Sequence, residues 1–223
     1  YTMNQLEKFK LDTININNKR FYITPQGDTY PSVTTVLGTI KSEGLEKWKA
    51  RVGEFEAQKI KQKAVKRGSE FHYICEDYLD KRPNYLRNRM PTTKALFNSI
   101  KPILDNSISN VLVQEYVLWS DYLKTAGRVD LVAYYDKKLS IIDFKSASKP
   151  KKPEWVHSYF MQEAAYAVMF EERTKVSIPQ LVTIIAVEND NPQVFIESRD
   201  DWIHKFIHVR DTFDDVFFPN KNS

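Results

Sequence analysis

Two aspartates and a lysine in the middle of the chain have residue types and a spacing suited to metal-assisted chemistry. Asp130 and Asp143 lie in two β-rich runs, RVDLVAY and LSIIDFK, and Lys145 follows Asp143 by two residues. The polar residues 135–138 between the runs predict a β-hairpin with a loop of two or four residues. Because side chains alternate along a strand, Lys145 shares the face of Asp143.

The register of this hairpin determines whether the two acids meet. Either loop length sets these residues opposite one another: Leu131 and Ile142, Val129 and Phe144, Asp130 and Asp143, and Arg128 and Lys145. The first two pairs form an apolar face, and a slip of one residue would reverse every side chain. Facing residues are about 5 Å apart at Cβ. Two carboxylates that close should not both ionise unless a cation lies between them.

The hairpin is therefore predicted to supply half of a metal site. Carboxylate oxygens suit Mg²⁺ or Mn²⁺, which take their other ligands from water and substrate phosphate. Such an ion beside a lysine predicts hydrolysis of a nucleic-acid backbone. The alternative is that an odd-length loop or a bulge shifts the register, so that the carboxylates lie on an exposed face and never meet.

Upstream, residues 41–83 are predicted to form lysine-rich helices. Ser42 is expected to cap a first helix through Trp48, and a second helix carries the basic run KIKQKAVKR that ends at Arg67. Such a run is usually a solvated helix face. In a nuclease, the same residues become a candidate phosphate track.

A further helix is predicted after Gly68. Its apolar residues recur at helical spacing, and His72 and Glu76 lie one turn apart on the flank of that stripe. A histidine in this position is more often packed than a ligand, so the pattern alone favours a structural role.

Downstream of these helices, the run VLVQEYVLWS predicts a strand that carries Glu115. If this strand neighbours the hairpin, Glu115 would be an additional metal ligand; the alternative is a surface glutamate. After Lys145, the basic loop SASKPKKPEW is stiffened by its prolines. Ser146, Ser148 and Lys149 leave the strand at the same end as the acids, where they would hold phosphate.

A helix is predicted over residues 154–172. Gln162 and Tyr166 share one of its faces at a spacing of four residues. Among the aromatic residues of the chain, Trp155 and Tyr159 flank the basic loop, so we expect these two to stack on unpaired bases. A core role is the alternative for such aromatic side chains.

Several of these motifs together resemble a known superfamily. They are Gly127 with Asp130, the triplet 143–145, Gln162 with Tyr166, and the upstream Arg67, Gly68, His72 and Glu76. In this order they are similar to the PD-(D/E)XK nucleases in their RecB-like exonuclease branch. The segment PSVTTVLG adds a resemblance to the mitochondrial genome maintenance exonucleases and their phage and bacterial relatives. The resemblance extends over residues 31–202.

The resemblance implies a site and an activity. His72, Asp130, Asp143 and the backbone carbonyl of Phe144 would bind Mg²⁺ or Mn²⁺, while Lys145 orients water. Gln162 and Tyr166 would hydrogen-bond to a phosphate or to the lysine region, and Arg67 would contact substrate. The implied reaction is exonucleolytic cleavage of DNA ends, single strands preferred, leaving a 5′ phosphate and a 3′ hydroxyl. The first 40 residues would form a wall of the DNA channel; the alternative for this segment is a scaffold.

Length and composition set the frame for these expectations. The chain has 223 residues, 42% of them apolar, which is enough for one large domain with a buried core or for two small domains. The resemblance implies one nuclease domain over 1–223. We expect an α/β restriction-endonuclease-like fold, a central mixed sheet flanked by helices. A β-rich segment 1–40 and a helical segment 41–110 would precede a catalytic core over 111–223. The net charge of +4 permits a polyanionic partner without requiring one.

The cysteine count and hydropathy exclude several classes. Cys75 is the single cysteine, so no iron–sulfur cluster or disulfide framework is expected, although some RecB-like nucleases carry a four-cysteine cluster. No apolar run has the length of a membrane span, and no signal peptide is evident. The expected location is the cytoplasm of a bacterium or phage-infected cell, with the mitochondrion as the alternative.

Two other functions stay open on the sequence alone. One is a structure-selective endonuclease on the same fold, and the other is a nucleic-acid-binding module without catalysis. The complete set of Asp130, Asp143 and Lys145 favours an enzyme in DNA replication, recombination or repair.

Overall fold

The computed structural model describes residues 8–41 and 43–218, and its first elements form a small antiparallel sheet. The strands are β1 (Asp12–Ile16), β2 (Lys19–Ile23) and β3 (Thr29–Pro31). Asn17 and Asn18 join β1 to β2 with φ angles of 49° and 60°, as a type I′ turn requires. Helix α1 (Val33–Leu37) follows, capped by Ser32, whose side chain accepts a hydrogen bond from the Thr35 amide at 3.1 Å.

The helical segment contains α2 (Glu43–Val52), α3 (Glu54–Leu79) and α4 (Pro91–Ser107). The predicted cap at Ser42 lies outside the described residues. The helical structure is interrupted at Gly53, whose φ of 85° favours glycine, and not at Gly68. Helix α3 runs through Gly68 without interruption, so the separate helix predicted after this residue was wrong. Packing of the apolar stripe beyond Gly68 outweighs the glycine penalty of about 1 kcal/mol.

A five-stranded mixed sheet forms the centre of the fold. Its strands, in spatial order, are β4 (Ile108–Ser120), β5 (Thr125–Tyr135), β6 (Lys138–Ala147), β7 (Gln180–Val187) and β8 (Gln193–Ser198). Strands β6 and β7 are parallel and the other neighbours are antiparallel. The parallel pair is connected through a 3₁₀ turn (Pro153–Trp155) and helix α5 (His157–Thr174). Helix α5 begins three residues later than predicted, because the 3₁₀ turn occupies its expected start.

Helices cover both faces of this sheet. The α3-side core contains Phe71, Leu96, Leu131, Ile142 and Phe144 among its buried residues. The α5-side core contains Val129, Val132, Ile141, Phe160 and, from the last helix α6 (Arg199–Phe217), Phe206. The α/β architecture with a central mixed sheet flanked by helices is thus as predicted. Among the described residues, no helix is long and apolar enough to cross a membrane.

Candidate active site

The predicted hairpin register is correct near the loop and fails near the acids. The ladder between β5 and β6 runs from the pair Tyr135 and Lys138 to the pair Leu131 and Ile142, around a two-residue loop. Over the described residues it stops there, so three predicted pairs are wrong: Asp130 with Asp143, Val129 with Phe144, and Arg128 with Lys145. Instead, the Phe144 amide donates a hydrogen bond to Asp130 Oδ2 at 2.9 Å. The Asp130 side chain therefore accepts a hydrogen bond that a backbone carbonyl of a paired strand would otherwise accept.

At this point the side chains of β4 and β5 also change the face of the sheet on which they lie. Leu131 belongs to the α3-side core and Val129 to the α5-side core, although residues two apart normally share a face. On β4, Gln114 donates a hydrogen bond to Asp80 at the end of α3, whereas Tyr116 lies in the α5-side core. The face change explains why Val129 and Phe144 do not form the predicted apolar face.

The residue between Gln114 and Tyr116 is Glu115, whose φ of 47° is in the left-handed region. Few residues other than glycine adopt this conformation. Its neighbours on β4 keep their pairing with β5 on both sides of it. Glu115 and Asp130 therefore lie together where both strands change faces.

This irregularity brings three potential ligands together. His72 from α3, Glu115 from β4 and Asp130 from β5 each offer one atom, and these atoms lie within 4.8 Å of one another. The distance from His72 Nδ1 to Asp130 Oδ1 is 3.5 Å. One imidazole and two carboxylates form a donor set that suits a divalent cation.

The electrostatics of this group agree with a cation site. Burial, reinforced by the charge of Asp130, raises the pKa of Glu115 to about 7. Burial opposes a charged His72, but the Asp130 carboxylate outweighs it and raises the imidazole pKa to about 9. Burial likewise opposes a charged Asp130, and His72 outweighs it and lowers the pKa of that carboxyl. The acids are crowded, and a cation relieves their repulsion.

Asp143 is outside this three-ligand group. It is 2% exposed, and its Oδ2 forms an ion pair with Lys145 Nζ. Burial raises the pKa of Asp143 to about 6 against the attraction of Lys145, with a further contribution from Asp130. Burial disfavours a charged Lys145, but Asp143 outweighs it and raises the pKa of the amine. In this structure the lysine neutralises Asp143.

Lys145 continues into a chain of contacts on helix α5. Its Nζ lies 3.4 Å from Gln162 Oε1, and Gln162 Nε2 donates to the Tyr166 hydroxyl at 3.2 Å. Nζ also lies 5.0 Å from the ring centroid of Tyr159. The two residues predicted to share a face of the helix do so, and Tyr159 is on the same side.

Arg67 connects α3 to the ends of β6 and β7. Its Nη1 lies 2.7 Å from Glu188 Oε1, and its Nε donates to Ser146 Oγ at 3.3 Å. The guanidinium is thus engaged by the protein itself. Contact of Arg67 or Ser146 with substrate stays a prediction.

The loop after β6 is exposed. Ser148 and Lys149 are at the surface, and Trp155 is 61% exposed with Lys152 Nζ 5.3 Å from its ring centroid. An indole that remains open to solvent is available for stacking.

A cavity of about 260 Å³ opens over the three-ligand group. His72, Glu115, Asp130, Gln162 and Tyr166 line it, and Arg20, Ser32 and Thr34 form another part of its wall. The N-terminal segment therefore contributes to the wall of this cavity, and its role as a wall of a DNA channel stays a prediction.

Sequence reasoning missed two residues at the site. Arg128 Nε lies 2.8 Å from Glu115 Oε2, and the sequence offered no sign of that partner. Glu163 is 0% exposed and accepts a hydrogen bond from Thr183 Oγ1 at 2.6 Å. A glutamate within the apolar helix run that follows Gln162 was the available signal.

Comparison with known proteins identifies relatives. No protein-family profile matches the chain. The mouse protein named mitochondrial genome maintenance exonuclease 1 is 32% identical over 134 residues, covering 56% of this chain and 39% of that protein. The Xenopus tropicalis and human proteins of the same name are each 28% identical, over 177 and 174 residues. These alignments cover 74% and 73% of this chain and 50% of either relative, so the chain spans half or less of the relatives' length.

One solved structure, of a protein from Eubacterium rectale described as an exonuclease candidate, has a TM-score of 0.46 and 14% identity. The match covers 69% of this chain and 66% of that chain. The likeness rests on these sequence relatives. Over the aligned residues, the chain is similar to the proteins named mitochondrial genome maintenance exonuclease 1.

Proposed function

We propose that this protein hydrolyses phosphodiester bonds at DNA ends with the help of Mg²⁺ or Mn²⁺, and that it prefers single strands. One observation carries the proposal, namely the convergence of His72, Glu115 and Asp130 beside the buried pair of Asp143 and Lys145. The name of the relatives supports an exonuclease acting in genome maintenance.

The metal ligands in this proposal come from four elements. His72, Glu115 and Asp130 would hold the ion, and Asp143 and the Phe144 carbonyl would join them once Lys145 releases Asp143. A divalent ion supplies a lower pKa for a nearby water and neutralises charge on phosphoryl oxygens. The donor set fits this role, because burial and the nearby Asp130 charge together raise the pKa of Glu115 to about 7, and a cation would offset both effects.

The amine of Lys145 has the second part of the task. Its raised pKa keeps it charged at neutral pH, so it would orient the attacking water and offset negative charge as the phosphate reacts. Gln162 and Tyr166 would position this amine through the contacts described above. The Tyr159 ring would support the side chain of Lys145. An adjacent base would stack on the same ring.

Substrate contacts extend from this centre along the strand ends. Ser146, Ser148 and Lys149 would hold the phosphates, with Arg67 behind them, and Trp155 would stack on an unpaired base. Ser148 and Lys149 are exposed after β6, and Trp155 is exposed at the end of the 3₁₀ turn that follows, which supports this part of the proposal. The assignment of residues 1–223 to one nuclease domain is part of the same proposal.

The same comparison also bears on the proposed cellular location. The relatives' name favours the mitochondrial alternative, whereas a phage or bacterial cytoplasm rests on the sequence resemblance alone.

The proposal is tested with end-labelled linear and circular DNA, single- and double-stranded, in Mn²⁺, Mg²⁺ or chelator. We expect degradation of linear single strands that requires the ion and spares circles. Cleavage of circular single strands would replace the exonuclease with an endonuclease on the same fold. Binding without cleavage in either ion would contradict the enzymatic proposal.

Lys145→Ala separates catalysis from binding in this assay. Loss of one positioned charge at the reacting phosphate should lower kcat by about a hundred- to ten-thousandfold, while DNA binding persists. A variant that cleaves at the wild-type rate would remove Lys145 from the mechanism. Thermal unfolding of the variant establishes that the protein is folded.

A further inference from the structure

Arg128 holds a position in the site for which the proposed mechanism gives it no task. Its Nε forms an ion pair with Glu115 Oε2 at 2.8 Å, and its side chain lines the cavity over the three-ligand group. The side chain is 57% exposed, whereas that of Glu115 is 19% exposed. The arginine therefore reaches from a nearly enclosed carboxylate into the open part of the cavity.

This ion pair does not have the properties of a structural one. A pair whose arginine is more than half exposed to water contributes little to folding stability. The conformation of Glu115 is nevertheless maintained at a φ of 47°, in a strand that pairs regularly on both sides of it. Backbone strain of this kind is kept where a side chain must point to a particular place.

The carboxylate of Glu115 serves two neighbours at once. It is one of the three potential metal ligands, and its Oε2 also forms the ion pair with Arg128 Nε. A guanidinium carries five N–H donors in a fork, of which Nε supplies one. The two terminal nitrogens can therefore contact a phosphate while Nε stays on the carboxylate.

We propose that Arg128 binds a backbone phosphate of the DNA next to the cleaved bond, and that Glu115 fixes this arginine relative to the metal site. The inference rests on the proposed function, since it assigns a phosphate contact to the same site. It makes Glu115 the connection between the ion and the phosphate-binding arginine. A lysine at position 128 would retain the charge and lose the two-sided contact.

Binding of a single-stranded oligonucleotide tests this role independently of cleavage. The Lys145→Ala protein is used with Mn²⁺ so that the strand stays intact, and Kd is measured at several salt concentrations. Adding Arg128→Ala should raise Kd about tenfold or more. It should also reduce the slope of log Kd against log salt by about 0.7, the value for one lost phosphate contact on a single strand.

Matched variants make the result specific. Arg87→Ala removes the same charge from an exposed loop outside the cavity lining and should leave Kd within about twofold. In the binding assay, Arg128→Lys should restore most of the salt slope that Arg128→Ala loses. In the enzyme that retains Lys145, Arg128→Lys should still have a KM above that of the wild type. A merely structural arginine would move the melting temperature and leave the salt slope unchanged.

The outcomes separate this inference from the proposed function. If Arg128→Ala binds the oligonucleotide with unchanged Kd and salt slope while the wild type cleaves DNA, Arg128 is not a phosphate-binding residue. If the wild type cleaves nothing, the proposed function fails, and the salt slope still decides whether Arg128 contacts phosphate.

Discussion

Replacing Gly127 with alanine would drive a methyl group into the ring of Tyr166. A Cβ built on Gly127 lies 2.7 Å from Tyr166 Cε1 and 3.1 Å from its hydroxyl oxygen. The ring is 3% exposed and belongs to helix α5, so it has little freedom to retreat. Either the strand or the helix must move to accept this substitution.

The magnitude follows from the cost of overpacking a core. Extra carbon atoms in a well-packed interior cost about 1–3 kcal/mol. For a chain of this size, that corresponds to a melting temperature lower by about 2–12 °C. Because the Tyr166 hydroxyl accepts the hydrogen bond of Gln162, which in turn contacts Lys145, a shifted ring should also lower kcat by about ten- to a hundredfold.

Gly68→Ala is the matched control for the same added methyl group. This glycine is within α3, and a Cβ there has Ser146 Oγ as its nearest neighbour at 3.9 Å, an ordinary contact. Alanine in a helix interior is favoured over glycine by about 1 kcal/mol. Gly68→Ala should therefore raise the melting temperature, whereas Gly127→Ala lowers it.

Calorimetry of Gly127→Ala and Gly68→Ala provides the assay. A double-mutant cycle of Gly127→Ala with Tyr166→Ala assigns the contact. In a Tyr166→Ala protein the ring is gone, so adding Gly127→Ala should cost little more, which gives a coupling energy of at least about 1 kcal/mol. A Gly127→Ala protein that melts at the wild-type temperature with unchanged kcat would refute the close packing of β5 against α5. Additive effects in the cycle would refute the assignment of that contact to Tyr166.

Three other expectations concern protons and base stacking. Burial raises the pKa of Glu163 well above its ordinary value, so the folded protein keeps a proton that the unfolded chain loses, and stability falls as pH rises above about 4.5. Glu163→Gln should therefore raise the melting temperature more at pH 8 than at pH 5. Its gain in free energy of unfolding should grow by up to about 1.4 kcal/mol per pH unit, and an equal change at both pH values would contradict this expectation. To bind at the proposed site, Mn²⁺ would have to displace protons from Glu115, with a pKa of about 7, and from His72, with a pKa of about 9. Its calorimetric affinity should therefore rise from pH 6 to pH 9, and a flat profile would be inconsistent with these ligands. Trp155→Ala should weaken binding of an unpaired strand by about 1–3 kcal/mol without changing the melting temperature, and unchanged binding would remove the stacking role.

Local patterns were sufficient to predict much of this fold. Alternation around a polar tetrad determined the loop and the first pairs of the hairpin, because a slip of one residue would exchange the side chains that the two faces bury. The helical period likewise placed Gln162 and Tyr166 together on α5. These features depend on residues close in sequence, and the structure confirms them.

The parts that the sequence did not predict depend on contacts between distant elements. The face change at Glu115 and Asp130 needs a left-handed backbone at a non-glycine residue, for which no composition signal exists. The ion pair of Lys145 with Asp143 depends on the burial of both residues. Helix α3 continues through Gly68 because its packing outweighs the local propensity.

Titration of Mn²⁺ into the wild-type and Asp130→Asn proteins tests the central claim, that His72, Glu115 and Asp130 bind a divalent ion. The amide keeps the shape of the side chain and can still accept from the Phe144 amide, so the variant should fold. We predict one saturable site in the wild type and an affinity at least about a hundredfold lower in the variant, since loss of even an indirect partner of a ligand costs about 10- to 100-fold. Equal affinities in two folded proteins would show that the ion, if bound, is held elsewhere, and would contradict the account.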